Sequence, residues 1–140
     1  MSIYTAGLIC QHVLKEENGI YSALRIADMI EIELPANVDL SKFSFQQISC
    51  HALFIFKSDQ PEEFEVEISY LKPDGNREGR QVFPIKLKEA PSGHLLDITM
   101  EVQPQAEGVY WVEAYIKSTL ATRIPFRIVH KNPQKSARKT

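Results

Sequence analysis

The feature that most constrains the fold is a pair of alternating segments between residues 108 and 129, GVYWVEAYIKSTLATRIPFRIV, joined by a short polar turn. In both segments apolar side chains recur at every second position, which is the period of a β-strand. The recurring side chains are Tyr110, Val112, Ala114 and Ile116 in the first segment and Ile124, Phe126 and Ile128 in the second. The pattern predicts a β-hairpin with one apolar face. Because a lone hairpin is marginal in water, the rest of the chain must supply further strands and a facing sheet.

Other alternating or apolar runs predict the remaining strands. They cover residues 3–14, 20–34, 48–56, 64–71, 80–88 and 95–102. Turn signals such as Asn18-Gly19 and Pro73-Asp74-Gly75 separate several of these runs. The chain is therefore predicted to be all-β, an immunoglobulin-like antiparallel β-sandwich of about seven or eight strands. Pro84 cannot donate to a sheet ladder, so it predicts an edge strand.

Three local features refine this prediction. Asp28 falls among apolar positions of the run 20–34; we interpret it as a bend that turns the carboxylate to solvent, the alternative being a buried acid with a raised pKa. The connection at residues 35–47 is the predicted crossover between sheets. Gly108-Val109-Tyr110 resembles the Gly-x-Tyr that opens a late strand in many sandwiches, where the tyrosine packs or hydrogen-bonds at a corner.

Length and charge predict one folded domain with a short tail. The chain has 140 residues, 44% of them hydrophobic, which suits a single core over residues 1–129. A net charge of −2 gives no broad footprint for nucleic acid. Residues 130–140, HKNPQKSARKT, carry no acidic residue, and we expect them to form a disordered basic tail. The tail cations are Lys131, Lys135, Arg138 and Lys139.

The start of the chain does not read as an export signal, because no basic region precedes a continuous apolar run. No stretch approaches the roughly 18 apolar residues of a membrane span. We therefore expect a cytoplasmic protein without a membrane partner. In that compartment Cys10 and Cys50 are expected to be reduced thiols rather than a disulfide.

The sequence offers little sign of a catalytic or metal-binding site, and we expect no catalytic residues, no cofactor and no metal. Phosphate-binding, hydrolase and zinc-binding sequence motifs are not found. Cys10 and His12 share a strand face, and Cys50 or His51 of another strand is the candidate to join them, but those two point to opposite faces, so at most one can join. Because zinc needs three or four converging ligands, this set falls short.

An aromatic surface is the strongest candidate for binding. If the apolar set of the first hairpin arm faces the core, then Val109, Trp111 and Tyr115 face outward, as Leu53 and Ile55 do on their own strand. Should the two strands be neighbours, these five residues form one apolar patch with an aromatic anchor. The alternative is that the strand 3–14, or the loop around Phe43 and Phe45, covers it.

Three stretches of the chain resemble, in order, a family of small bacterial immunoglobulin-like β-sandwich proteins, a domain of unknown function: ICQHVLKEENGIYSALRIADMIEIELP, YLKPDGN and EGVYWVEAYIKSTLATRIPFRIV. The likeness extends over most of residues 4–129. Gln11 departs from the pattern, which has an acidic residue after the early cysteine. The resemblance implies a sandwich fold and brings no established chemistry with it.

Three classes of function follow from these features. The leading hypothesis is a non-catalytic module that binds a protein partner, or a second copy of itself, through the Trp111 and Tyr115 surface. The second is an accessory protein whose basic tail binds nucleic acid or an acidic partner. The third, an enzyme using Asp28 or the cysteines, requires a cleft that gathers several titratable groups.

Overall fold

The chain folds into two packed β-sheets. The computed structural model describes residues 3–17, 19–89 and 93–132. Nine strands are formed by these residues: β1 (Ile3–Lys15), β2 (Tyr21–Ile26), β3 (Met29–Glu33), β4 (Ile48–Ser58), β5 (Glu62–Leu71), β6 (Arg77–Leu87), β7 (Gly93–Val102), β8 (Gly108–Ile116) and β9 (Thr119–Lys131). A four-stranded sheet has the order β2-β1-β4-β7, and a five-stranded sheet has the order β3-β9-β8-β5-β6. The predicted all-β, immunoglobulin-like sandwich is confirmed.

The structure has one strand more than the sequence predicts, because residues 20–34, predicted as one strand, form two strands, β2 and β3. β2 pairs with β1 in one sheet, whereas β3 pairs in parallel with β9 in the other. The chain crosses between the sheets at Ala27 and Asp28, where the amide of Ala27 donates to Ile9 and the amide of Arg127 donates to Asp28. Asp28 lies on the surface at this bend, in agreement with the solvent-facing interpretation. The loop 35–47 then returns the chain to the four-stranded sheet as predicted.

The predicted hairpin is formed by β8 and β9. Its two-residue turn, Lys117-Ser118, has φ values of +51° and +64°, which are typical of the type I′ turn that suits twisted hairpins. β9 extends two residues past the predicted domain end, because His130 and Lys131 pair with Ile32 and Glu33 of β3. The tail cations Lys135, Arg138 and Lys139 lie outside the described residues.

The core lies between the sheets and is closed on the side of β1 and β9. A Cβ added to Gly7 of β1 would lie 2.7 Å from Cδ1 of Ile124 on β9, so glycine allows this approach without displacing the Ile124 side chain. The hydroxyl of Thr5 also donates across to the carbonyl of Ala121 at 3.1 Å. At the end of the core, the Tyr110 hydroxyl donates to the carbonyl of Ala106 at 2.6 Å. This contact is the corner role that Gly108-x-Tyr110 predicts.

Two edge strands lie on the opposite side of the sandwich. β6 is an edge of the five-stranded sheet, which agrees with the prediction from Pro84, and β7 is an edge of the four-stranded sheet. On the surface of the β5–β6 hairpin, Lys86 of β6 pairs with Glu63 of β5 at 3.0 Å. Such exposed pairs contribute little to stability.

Candidate functional site

The predicted five-residue patch does not form as a single surface. Val109, Trp111 and Tyr115 lie on the outer face of β8 in the five-stranded sheet, whereas Leu53 and Ile55 lie on β4 in the other sheet. Alternation along a strand determines which side chains share a face, but it does not determine which strands are neighbours. The neighbours of β8 are β5 and β9, so the prediction that joined β4 to this surface is wrong.

Nothing from β1 covers the Trp111 surface, because β1 belongs to the opposite sheet. The loop 35–47 packs elsewhere: Phe45 stacks on His130 near the end of β9 with ring centroids 5.1 Å apart. Phe43 packs edge-on against Phe45 at 4.8 Å. Neither of the two segments considered as a cover therefore lies over Trp111.

Trp111 is half-buried and carries an arginine on its ring. The guanidinium carbon of Arg123, from β9, lies 3.9 Å from the centroid of the indole. A cation on a tryptophan face is attracted by the ring quadrupole, and the planar guanidinium also stacks well there. In the strand register Trp111 lies between Leu71 of β5 and Pro125 of β9. The ring and the guanidinium therefore form one flat, amphipathic surface.

Glu113, between Trp111 and Tyr115 on the same face, is a site residue that the sequence pattern did not indicate. Alternation predicts an outward glutamate, yet Glu113 is only 2% exposed. Its carboxylate accepts a hydrogen bond from Nε of Arg77 at 2.8 Å, and its register neighbours are Ser69 on β5 and Arg123 on β9. Glu113 lies on a central strand with an aromatic side chain on either side of it. Its place in the sequence between Trp111 and Tyr115 is the signal from which its burial could have been predicted.

These contacts define a surface that we name the arginine–aromatic face: Trp111, Tyr115, Arg77, Arg123 and Arg127. Its cations are of two kinds. Arg77 is engaged by Glu113, whereas Arg123 and Arg127 form no ion pair with the described residues. Arg127 is exposed and lies opposite Val109. The face therefore combines aromatic rings with two arginines that have no carboxylate partner among the described residues, whereas the neighbouring Glu67, opposite Tyr115, is paired with Arg80.

Leu53 and Ile55 belong to an apolar surface on the outside of the four-stranded sheet. Leu53 is 4% exposed and lies between Leu8 on β1 and Asp97 on β7. Ile55 is half-buried and lies between Ala6 and Leu95. Neighbouring side chains of the same sheet thus cover much of both residues.

The cysteines lie in adjacent strands but on opposite faces. Cys10 pairs in register with His51 on the outer face, and Cys50 points into the core beside Ala52. Burial raises the pKa of the Cys50 thiol to about 11, and burial together with Asp97 raises the pKa of Cys10. The described residues contain no group of three or more His, Cys, Asp or Glu side chains arranged to hold a metal ion.

Comparisons with known proteins found similarity to solved structures. No protein-family model matches the sequence, and no characterised protein is similar in sequence. An immunoglobulin-like protein from Pseudomonas aeruginosa is similar in structure, with 16% identity and a TM-score of 0.44 over 92% of this chain and 98% of that one. A β-glucosidase from Kluyveromyces marxianus is similar with 12% identity and a TM-score of 0.48, over 69% of this chain.

An alkylpurine DNA glycosylase from Pseudomonas fluorescens, bound to DNA with an abasic site analog, is similar with 12% identity and a TM-score of 0.46 over 87% of this chain. This chain spans only 14% of the β-glucosidase and 30% of the glycosylase. These likenesses therefore concern the sandwich alone. Within the described residues, no helix has the length and apolar character needed to cross a bilayer.

Proposed function

We propose that this protein is a non-catalytic interaction module that binds an acidic segment of a partner protein on the arginine–aromatic face. The observation that carries the proposal is the stacking of Arg123 on Trp111 beside Tyr115. Tryptophan, tyrosine and arginine are the residue types that most often dominate binding energy in protein interfaces. The earlier hypothesis of a Trp111 and Tyr115 surface is thereby kept, without Leu53 and Ile55.

The arginines of this face are held before a partner arrives. Arg77 is hydrogen-bonded to the buried carboxylate of Glu113, and Arg123 rests on the indole ring. A long side chain that is already ordered loses less conformational entropy on binding. Because a guanidinium can hold a carboxylate through two parallel hydrogen bonds, aspartate and glutamate are the matching groups on a partner.

The residues on which an enzyme hypothesis depended have unsuitable surroundings. Cys10 and Cys50 are buried, and their raised pKa values favour the protonated thiol, which is a poor nucleophile. Asp28 is exposed at a bend, where water solvates its carboxylate. These observations favour a binding role. Membership of the bacterial family named above and a cytoplasmic location belong to the same proposal.

The tail hypothesis retains three of its four cations. Lys131 is part of β9, and its Nζ lies 3.8 Å from a carboxylate oxygen of Glu31. Contacts of nucleic acid or an acidic partner with the tail would therefore depend on Lys135, Arg138 and Lys139. A chain that ends at Asn132 removes these three and leaves β9 complete.

The proposal is tested by fluorescence anisotropy with a labelled eight-residue peptide in which glutamate and tyrosine alternate. We expect saturable binding that weakens at least tenfold in Arg123→Glu and in Trp111→Ala. Lys57→Glu is the matched control, because Lys57 is an exposed cation on the other sheet, and it should leave the affinity within twofold of the parent. A charge-swapped lysine peptide should not bind the face.

Two outcomes contradict the proposal. If Lys57→Glu weakens binding as much as Arg123→Glu, the attraction is a general effect of charge. If truncation after Asn132 alone abolishes binding, the tail is the binding element. The mass in solution, measured alongside, identifies self-association: a dimer that dissociates in Arg123→Glu would make the partner a second copy of this chain.

A further inference from the structure

The open side of the sandwich contains a cavity between the two edge strands β6 and β7. Its volume is about 470 Å³, within the range of pockets that hold ligands. Apolar side chains from β5, β7 and β8 line it together with polar side chains from β5, β6 and β7. They include Ile98, Met100, Tyr70, Glu78, Gln81 and Glu101.

A β-bulge in β6 lies beside this cavity. Ile68 pairs with Gln81 and Tyr70 pairs with Glu78, so Gly79 and Arg80 both lie opposite Ser69. Gly79 has a φ of +67°, the left-handed conformation of the bulge type that begins with glycine. Such a bulge bends its strand and is often found next to a binding site.

Two buried hydroxyl groups next to the bulge have no hydrogen-bond partner in the described part of the chain: Ser69 Oγ and Tyr70 OH. Burial raises the pKa of Tyr70, so its hydroxyl stays protonated and can both donate and accept. Buried polar groups are nearly always satisfied in native proteins. Because Tyr70 lines the cavity, the backbone of a bound segment would be able to hydrogen-bond this hydroxyl while the side chains of the segment fill the apolar part of the cavity.

β7 is a long, regular edge strand, and its acidic side chains, Asp97 and Glu101, are the feature that discourages indiscriminate pairing. It keeps an uninterrupted register with β4 over ten residues, from Gly93 to Val102, and contains neither proline nor lysine. In the part of the chain that the structure describes, no strand pairs with its other side. By contrast, β6 carries Pro84 and the bulge. A long, regular edge presents free backbone donors and acceptors to another strand.

The side chains of β7 specify what kind of strand would fit. In the register with β4, Ile98 and Met100 lie on the inward face of β7 and line the cavity. Asp97 and Glu101 lie on its outward face; Asp97 is paired with Nδ1 of His51 at 2.8 Å, and Glu101 also borders the cavity. A strand added to β7 would therefore place apolar residues in the cavity and basic residues opposite the carboxylates. A second copy of β7 suits this edge less well, because the antiparallel register centred on Thr99 would bring Asp97 against Glu101.

We propose that β7 and the cavity beside it bind an extended segment of another protein in which apolar and basic residues alternate. The segment adds a fifth strand to the four-stranded sheet, with its apolar side chains between β7 and β6. This site is separate from the arginine–aromatic face and takes a partner of opposite charge. The proposal that β7 binds such a segment can therefore be right or wrong independently of the proposed function.

The test measures, by fluorescence anisotropy, the binding of a labelled ten-residue peptide in which valine and lysine alternate. We expect saturable binding that falls at least tenfold in Glu101→Lys. We expect the same variant to gain affinity for a second ten-residue peptide, in which valine and glutamate alternate. Glu65→Lys is the matched control, because Glu65 is an exposed outward carboxylate of the other sheet. A peptide with proline at alternate positions should not bind, since it cannot form the ladder.

Hydrogen exchange then locates the peptide. Backbone amides of β7 should exchange at least tenfold more slowly with the peptide bound, whereas amides of β8 should be unchanged. The proposal is overturned if the peptide does not bind, if Glu65→Lys and Glu101→Lys weaken it equally, or if protection appears away from β7.

Discussion

Tyr70 and Tyr110 are neighbouring residues of the core whose hydroxyl groups have opposite surroundings. Their rings stack with centroids 5.5 Å apart. The Tyr110 hydroxyl donates to Ala106 at 2.6 Å, whereas the Tyr70 hydroxyl is buried without a partner among the described residues. The same change, tyrosine to phenylalanine, should therefore have opposite effects at the two positions.

We expect Tyr70→Phe to raise the free energy of unfolding by about 1 kcal/mol, because an unsatisfied buried hydroxyl costs more than its absence. Tyr110→Phe is the matched control and should lower it by about 1 kcal/mol through loss of the corner hydrogen bond. Urea unfolding followed by tryptophan fluorescence measures both. A destabilised Tyr70→Phe would mean that the hydroxyl is satisfied in solution.

The thiols provide a second prediction at the scale of single residues. With a pKa of about 11 for Cys50, only about one molecule in a thousand carries the thiolate at pH 8. In a Cys10→Ala background we expect Cys50 to react with a colorimetric disulfide reagent at least 100-fold more slowly in the native protein than in guanidinium chloride. Rapid reaction of the native protein at pH 8 would contradict the burial of this group.

At the scale of elements, the turn between β8 and β9 is held in a conformation that ordinary residues adopt at a cost. Ser118 has a φ of +64°, and a non-glycine residue loses about 1 kcal/mol in this left-handed region. Ser118→Gly should therefore raise the free energy of unfolding by about 0.5–1 kcal/mol. Thr119→Gly, one residue later in β9, is the control and should lower it. Thermal unfolding of both variants decides the sign.

The elements were also the most predictable part of this fold. Period-two alternation gave the β8–β9 hairpin and the inward positions of Tyr110 and Ile128, because it depends only on local geometry. The run 20–34 was joined in error, since the backbone hydrogen bonds of Asp28 and Ala27 that divide it involve partners distant in sequence. Two other predictions, that β4 and β8 are neighbours and that Glu113 is exposed, are wrong for the same reason. Both depend on which strands lie side by side, and the topology determines this.

At the scale of the whole molecule, the sandwich is closed on the side of β1 and β9 and open on the side of β6 and β7. β1 and β9 approach closely at Gly7, while the bulge at Gly79 lies beside the cavity between β6 and β7. The arginine–aromatic face lies on the outside of the five-stranded sheet, and β7 with Asp97 and Glu101 lies at the edge of the other. The molecule therefore presents a basic surface and an acidic edge on different sheets, so that two partners of opposite charge would not compete.

The last prediction concerns where the folded molecule ends. A sequence-based boundary at Val129 removes His130 and Lys131, which make three hydrogen bonds besides those of the β3–β9 ladder: Leu34 donates to the carbonyl of Lys131, the His130 amide donates to Glu107, and the His130 Nε2–H donates to the carbonyl of Pro104. At about 1 kcal/mol each, their loss should lower the free energy of unfolding by about 3 kcal/mol. Ending the chain at Asn132 should leave it unchanged. Equal urea midpoints for the two truncations would show that β9 and β3 do not need these residues. Binding lost in the chain that ends at Val129 but kept in the chain that ends at Asn132 would then report on direct contacts of residues 130–132 rather than on the fold.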